Sequence, residues 1–170
     1  SKRLSIQQLH INKNKNEHCT NRDVVKGANK WIHIQRHKNN DARKACINGL
    51  KEAGYKLVAM TLSEKSIALE QLPIDHKLAI SFGCEETGLS KEIEAHADYS
   101  VQIPIAGFTQ SFNVSVSAGI SLYYLMNKIK QSDQNWRLTA KEKQALLLDW
   151  LSKSTPSGKN LLDKYIAESN

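Results

Sequence analysis

The chain has 170 residues, 24 Lys and Arg against 17 Asp and Glu, a formal net charge of +7, and 40% hydrophobic residues. That size and composition suit one compact domain with a core and exclude wholesale disorder. No apolar run reaches the ~18–20 residues of a membrane span, and residues 1–10 hold no apolar signal core.

The three cysteines, Cys19, Cys46 and Cys84, form no CxxC pair. That argues against a disulfide scaffold or a zinc site and fits a cytoplasmic protein. The charge is uneven. Residues 1–50 carry 11 bases against 3 acids, a net of +8, and the other 120 residues carry 13 bases against 14 acids. A localised basic field suits polyanion binding, because neutralised phosphates release counterions. A solvated basic surface would look the same, and charge alone leaves the two readings even.

Residues 4–11 (LSIQQLHI) read as a short strand, and polar residues 12–20 as a loop. Residues 31–34 alternate as a strand does. Asp41 caps a predicted helix to about Ala53, with Ala45, Cys46, Leu50 and Ala53 as its apolar positions and Gly54 as its stop. Strands follow at 55–62 and 78–82. Ser90 caps a helix to about residue 97, a strand spans 99–105, and a long helix spans 111–130. Polar residues 131–135 separate this body, residues 1–135, from a helical extension, residues 136–170, with helices at 138–152 and 161–169. Thr139 and Glu142 form a capping-box pattern ahead of an apolar face that includes Leu147, Leu148 and Leu151. Strands alternating with helices predict an α/β domain with a mostly parallel sheet.

Several chemistries are excluded. No G-x-G pair occurs, so the dinucleotide fingerprint is absent. The glycines of Gly83 to Gly88 have P-loop spacing, but Leu89 stands where the phosphate-binding Lys belongs, and Glu85 and Glu86 would repel phosphate. The six histidines show no tight ligand spacing, and no metal is expected.

Two segments remain. SFGCEETGLS (residues 81–90) runs from an apolar strand through two glycines to a helix cap, where α/β sheets place their sites. IPIAGFTQSFNVSVSAG (residues 103–119) runs from a strand end through a loop into a helix. Ser111 and Asn113 fall at that helix start, where free N–H groups favour electron-rich atoms. A plain strand–turn–helix junction and a capped helix explain each segment equally well when taken alone.

In this order and spacing the two segments resemble the second and third motifs of the SpoU family of ribose 2′-O-methyltransferases, FGxExxGLS and IPMxGxxxSLNVSV. The chain departs at Ile105 for Met and at Phe112 for Leu. Residues 23–31 and 55–62 are similar to the TrmH branch, which modifies a guanosine in tRNA. The resemblance covers about residues 4–130. It implies a SPOUT-type parallel sheet with a C-terminal trefoil knot, a homodimer, S-adenosylmethionine as cofactor, and tRNA or ribosomal RNA as substrate. A non-catalytic RNA-binding homologue is the alternative.

By motif position, Met60, Gly83, Ile103 and Phe112 would contact the cofactor. Ser111, Asn113 and Glu85 match the family's polar residues at the reacting centre. Lys26, Lys30 and Arg36 are the candidate RNA contacts in the basic third. The family's motif-one arginine aligns before Ser1, and the fold's first strand and helix have no counterpart here. The expectation is therefore an N-terminally truncated chain that encodes the cofactor pocket and transfers methyl groups poorly.

Overall fold

The computed structural model describes residues 8–12, 33–37, 39–84, 87–105 and 112–168. In chain order the elements are β1 (Gln8–Asn12), β2 (His33–His37), α1 (Asn40–Glu52), β3 (Tyr55–Met60) and β4 (Ile67–Ala68). A 3-10 turn (Leu69–Gln71), β5 (Lys77–Phe82), α2 (Lys91–His96), β6 (Tyr99–Gln102), α3 (Val114–Lys130), α4 (Ala140–Ser154) and α5 (Gly158–Glu168) follow. They fall into two compact units: one takes in residues 40–136, and the other residues 5–39 with 137–170.

The first unit is built on a four-stranded parallel sheet in the order β4-β6-β3-β5. The central strand β3 is apolar over Leu57, Val58 and Ala59, where both faces are covered. Successive β3 residues point to opposite sides. Leu57 joins Ile47 of α1 and Ile93 of α2 on one face. Val58 joins Leu69, Leu72, Leu78, Val101 and Leu125 of α3 on the other. From β3 the chain places β4 at the far edge, returns to β5 on the other side of β3, and then passes through α2 to β6, between β3 and β4. The strand order thus reverses around β3. In open α/β sheets that reversal leaves a crevice beyond the strands' carboxyl ends.

In the second unit β1 and β2 pair in parallel, with His10 opposite Gln35 and Ile11 opposite Arg36. The predicted strand at 31–34 is found as His33–His37, with residues 31 and 32 outside the described set. The expected capping box is present: the Glu142 N–H donates to Thr139 Oγ1, and the Thr139 N–H donates back to Glu142 Oε2 at 2.9 Å. Three predicted helices lie within a few residues of their places, as Lys91–His96, Ala140–Ser154 and Gly158–Glu168.

Three expectations need correction. The strand predicted over 99–105 ends at Gln102, because Pro104 has no N–H and forces Ile103 out of regular pairing. The helix predicted from 111 begins at Val114, with Asn113 as its cap. Helix α1 buries Arg43 and Ile47, while Ala45 and Ala53 are exposed. A turn position was misread there because Arg covers apolar surface with its stem. The Arg43 guanidinium turns back to Asn40 Oδ1 at 2.6 Å. Strand β4 was not foreseen; two residues give no periodic signal.

Two groups make stability depend on acid. Burial, and then the neighbouring His37 imidazole, hold His10 below its ordinary value of 6.5. The two rings are stacked with centroids 5.4 Å apart, and His10 Nδ1 lies 3.1 Å from His37 Nε2. Burial pushes Asp98 upward. The Leu57 N–H at 2.9 Å and the Lys56 ammonium at 3.1 Å, with the Lys51 charge, outweigh it and leave Asp98 below its ordinary 3.8. A depressed value means that the unfolded chain takes up the proton first, so both contributions vanish as pH falls. Unfolding free energy should decline in two stages, first below the ordinary His value of 6.5 and again below the ordinary Asp value of 3.8. His10→Asn should flatten the first stage and Asp98→Asn the second, as read by urea titration. A profile unchanged by either substitution would contradict this account.

Candidate functional site

A cleft of about 570 Å³ lies at the carboxyl ends of β3, β5 and β6, within the first unit. Met60 closes β3, Phe82 and Gly83 leave β5, and Gln102 and Ile103 leave β6. Phe112 and Val114 enter from the start of α3, and Lys91 and Glu94 from α2. The cleft therefore opens where the strand order reverses. Its size falls within the ~300–1,000 Å³ of small-molecule pockets.

The β5–α2 loop is shaped by its two glycines. Cys84 and Gly88 form an antiparallel bridge: the Cys84 N–H donates to the Gly88 carbonyl at 3.1 Å, and the Gly88 N–H to the Cys84 carbonyl at 2.8 Å. Gly88 has φ +64°, where a side chain is strained. A Cβ on Gly83 would lie 2.3 Å from the Gly88 carbonyl carbon and 2.4 Å from the Leu89 nitrogen. Gly83 is thus required by the loop's own return over the strand end. Ser90 Oγ then accepts from the Ile93 N–H and starts α2.

On the other wall, Asn113 caps α3. Its Oδ1 accepts from the Ser115 N–H at 2.9 Å, so the side-chain amide retains its Nδ2 donors. Phe112 is 36% exposed and Leu62 54% exposed on the cleft, apolar surface suited to a flat, uncharged ring.

All four residues expected to contact the cofactor, Met60, Gly83, Ile103 and Phe112, line this one cleft. Asn113 stands between two lining residues, Phe112 and Val114. Arg36 is exposed on β2. Ser111, Glu85, Lys26 and Lys30 lie outside the described residues. Sequence reasoning passed over Thr61, Lys91 and Glu94. The Thr61 hydroxyl donates to Glu94 Oε1 at 3.2 Å, and Lys91 and Glu94 are the charged residues of the cleft among those described. Lys91 and Glu94 are an i, i+3 pair on the helix that Ser90 opens, but that spacing places neither in a cleft nor beside Thr61.

A parallel sheet with a reversal crevice, a glycine-bridged loop and a cleft at the strand ends defines the chain as an α/β protein of the open-sheet class. The chain belongs to the SpoU rRNA Methylase family, which matches residues 1–123. A tRNA (guanosine(18)-2′-O)-methyltransferase of Borreliella burgdorferi is 42% identical over 147 residues, 86% of this chain and 66% of the relative. The crystal structure of the Aquifex aeolicus TrmH/SpoU tRNA modifying enzyme superposes with TM-score 0.71 at 27% identity, covering 84% of this chain and 73% of that one. The AviRb SpoU methyltransferase of Streptomyces viridochromogenes, in a structure with AdoMet, shares the fold with TM-score 0.64 at 19% identity, covering 74% and 51%. The chain thus spans just under two thirds of the length of the Borreliella relative.

Proposed function

We propose that this chain binds S-adenosylmethionine in the cleft and serves methyl transfer to a ribose 2′-hydroxyl of RNA, a tRNA guanosine in the first instance. The observation that carries this reading is the meeting of Met60, Gly83, Ile103 and Phe112 in one cleft at the strand reversal. Membership of the SpoU family and the activity named for the Borreliella relative support it. Ribosomal RNA is the second substrate class, from the family's own description.

The residues present fit the cofactor. Met60, Ile103 and Phe112 offer apolar walls to an adenine, and Gly83 keeps the loop folded beside them. Bound S-adenosylmethionine supplies an electrophilic methyl group on a sulfonium. The chain's task is to orient a poor nucleophile toward it and exclude water. Asn113, with Oδ1 held by the cap, has Nδ2–H donors to offer an electron-rich atom. Ser111 and Glu85 are proposed to act beside it.

The same reading includes a trefoil knot around the 103–119 segment, a methyltransferase domain over 1–135 with a helical extension over 136–170, and a homodimer in a cytoplasmic setting. Support for the dimer comes from α3. Val116, Ile120 and Tyr123 recur at helical spacing and are 47%, 36% and 75% exposed, an apolar stripe that a second copy would cover. Among the described residues no helix is long and apolar enough to cross a membrane.

The test is calorimetric titration of the 170-residue chain with S-adenosylhomocysteine, followed by tRNA binding at rising salt. One ligand per chain is expected, with amide shifts at residues 82–84, at Ile103 and Ile105, and at residues 112–117. RNA affinity should fall steeply with salt if Arg36, Lys26 and Lys30 meet phosphates. Absence of nucleoside binding would overturn the cofactor reading, and a flat salt response would remove the basic third from the RNA interface.

A further inference from the structure

We infer that Glu94, held by Thr61, is the acceptor that reads the ribose hydroxyls of the nucleoside in this cleft. The inference rests on the cofactor reading above and adds to it a residue outside both motifs. Glu94 is the only carboxylate lining the cleft among the described residues. A carboxylate only accepts, so it selects for a ligand that donates.

Its surroundings keep it available. Lys91 is one turn away on the same helix, where opposite charges commonly pair. No ion pair joins Lys91 to Glu94 among the described residues, and no described salt bridge involves either. One carboxylate oxygen receives the Thr61 hydroxyl at 3.2 Å. Thr61 is itself fixed to the sheet, its N–H donating to the Val101 carbonyl at 3.0 Å. The second oxygen takes part in no described hydrogen bond. The Glu94 carboxylate, on α2, is therefore tied through Thr61 to the end of β3, with its second oxygen open to a ligand.

The cleft's polarity says which donor it meets. A nucleoside carrying an amino-acid side chain has a carboxylate at one end, and that end favours the start of α3. There a 17-residue helix presents its positive end and Asn113 its amide donors. Glu94, on α2, would repel the same carboxylate. The uncharged vicinal hydroxyls of a ribose are donors that a lone carboxylate accepts well, through short charge-assisted bonds. Adenine takes the apolar surface of Met60, Ile103 and Phe112, which needs no ion.

The experiment is a double-mutant cycle on binding. The wild-type chain and Glu94→Leu are titrated with 5′-methylthioadenosine and with its 2′,3′-dideoxy counterpart. The wild type should prefer the ribose ligand by about tenfold or more, and Glu94→Leu should abolish that preference while leaving affinity for the dideoxy ligand unchanged. Glu94 is exposed, so the variant should fold, which thermal melting checks. Glu94→Gln keeps an acceptor and should retain part of the preference. A preference that survives in Glu94→Leu would overturn the assignment, as would a wild type that does not discriminate. Loss of S-adenosylhomocysteine affinity with 5′-methylthioadenosine unaffected would overturn it too, by placing Glu94 against the ammonium. Failure of the wild type to bind any of these nucleosides would refute the cofactor reading itself.

Discussion

Gly83→Ala is expected to abolish nucleoside binding, a loss of about a hundredfold or more, and to destabilise the first unit by about 1–3 kcal/mol. The new methyl carbon would sit 2.3 Å from the Gly88 carbonyl carbon and 2.4 Å from the Leu89 nitrogen, both backbone atoms. A side chain could rotate away, but this segment cannot. Relief requires opening the Cys84–Gly88 bridge, whose two hydrogen bonds hold the loop at the cleft. The control is Gly49→Ala in α1, where an added Cβ meets nothing within 4 Å. That change should stabilise the helix by up to about 1 kcal/mol and leave binding intact. Calorimetric affinity and urea unfolding of both variants check the contrast. Wild-type binding by Gly83→Ala would show that the loop is not the wall of the site.

The contrast also shows how far the sequence could be read. Gly83 and Gly88 look alike in a motif, and each is needed for a different reason. Gly88 needs a positive φ, a local property of the chain. Gly83 needs room for the backbone of Gly88 and Leu89, five and six residues later, and only the folded loop shows what fills it. The strands were legible because β3 and β5 are short apolar runs covered on both faces. That Met60, Gly83, Ile103 and Phe112 would meet was legible because they stand at strand ends and a helix start, where type and spacing fix position. Glu94 and Thr61 were not legible. Their pairing joins residues 33 apart in sequence through a hydrogen bond, and no spacing rule links a strand end to the exposed side of a separate helix. The face of α1 was misread for a related reason. Periodicity narrows the candidates to a stripe, and the neighbouring strand chooses among them. The chosen stripe included an arginine.

Helix α3 carries the second large effect, through two fully buried residues one turn apart. Leu125 packs with Val58, Leu72 and Val101 and joins α3 to the sheet. Leu125→Ala should cost about 2–5 kcal/mol, because the surrounding strands are fixed by their ladders and cannot close the cavity. Ser121 is as buried, yet its hydroxyl has no hydrogen-bond partner among the described residues. Ser121→Ala removes an unsatisfied polar group from the same face and improves helix propensity. It should therefore be neutral or stabilising by about 1 kcal/mol. Chemical denaturation should show a large loss for Leu125→Ala and none for Ser121→Ala if α3 is docked as described. Equal losses would mean that Ser121 is bonded, and no loss at Leu125 would mean that α3 is not anchored there. The result bears on the site directly, since the start of α3 brings Phe112 and Val114 to the cleft. A helix loosened at Leu125 should bind nucleoside more weakly even though no residue of the cleft has changed.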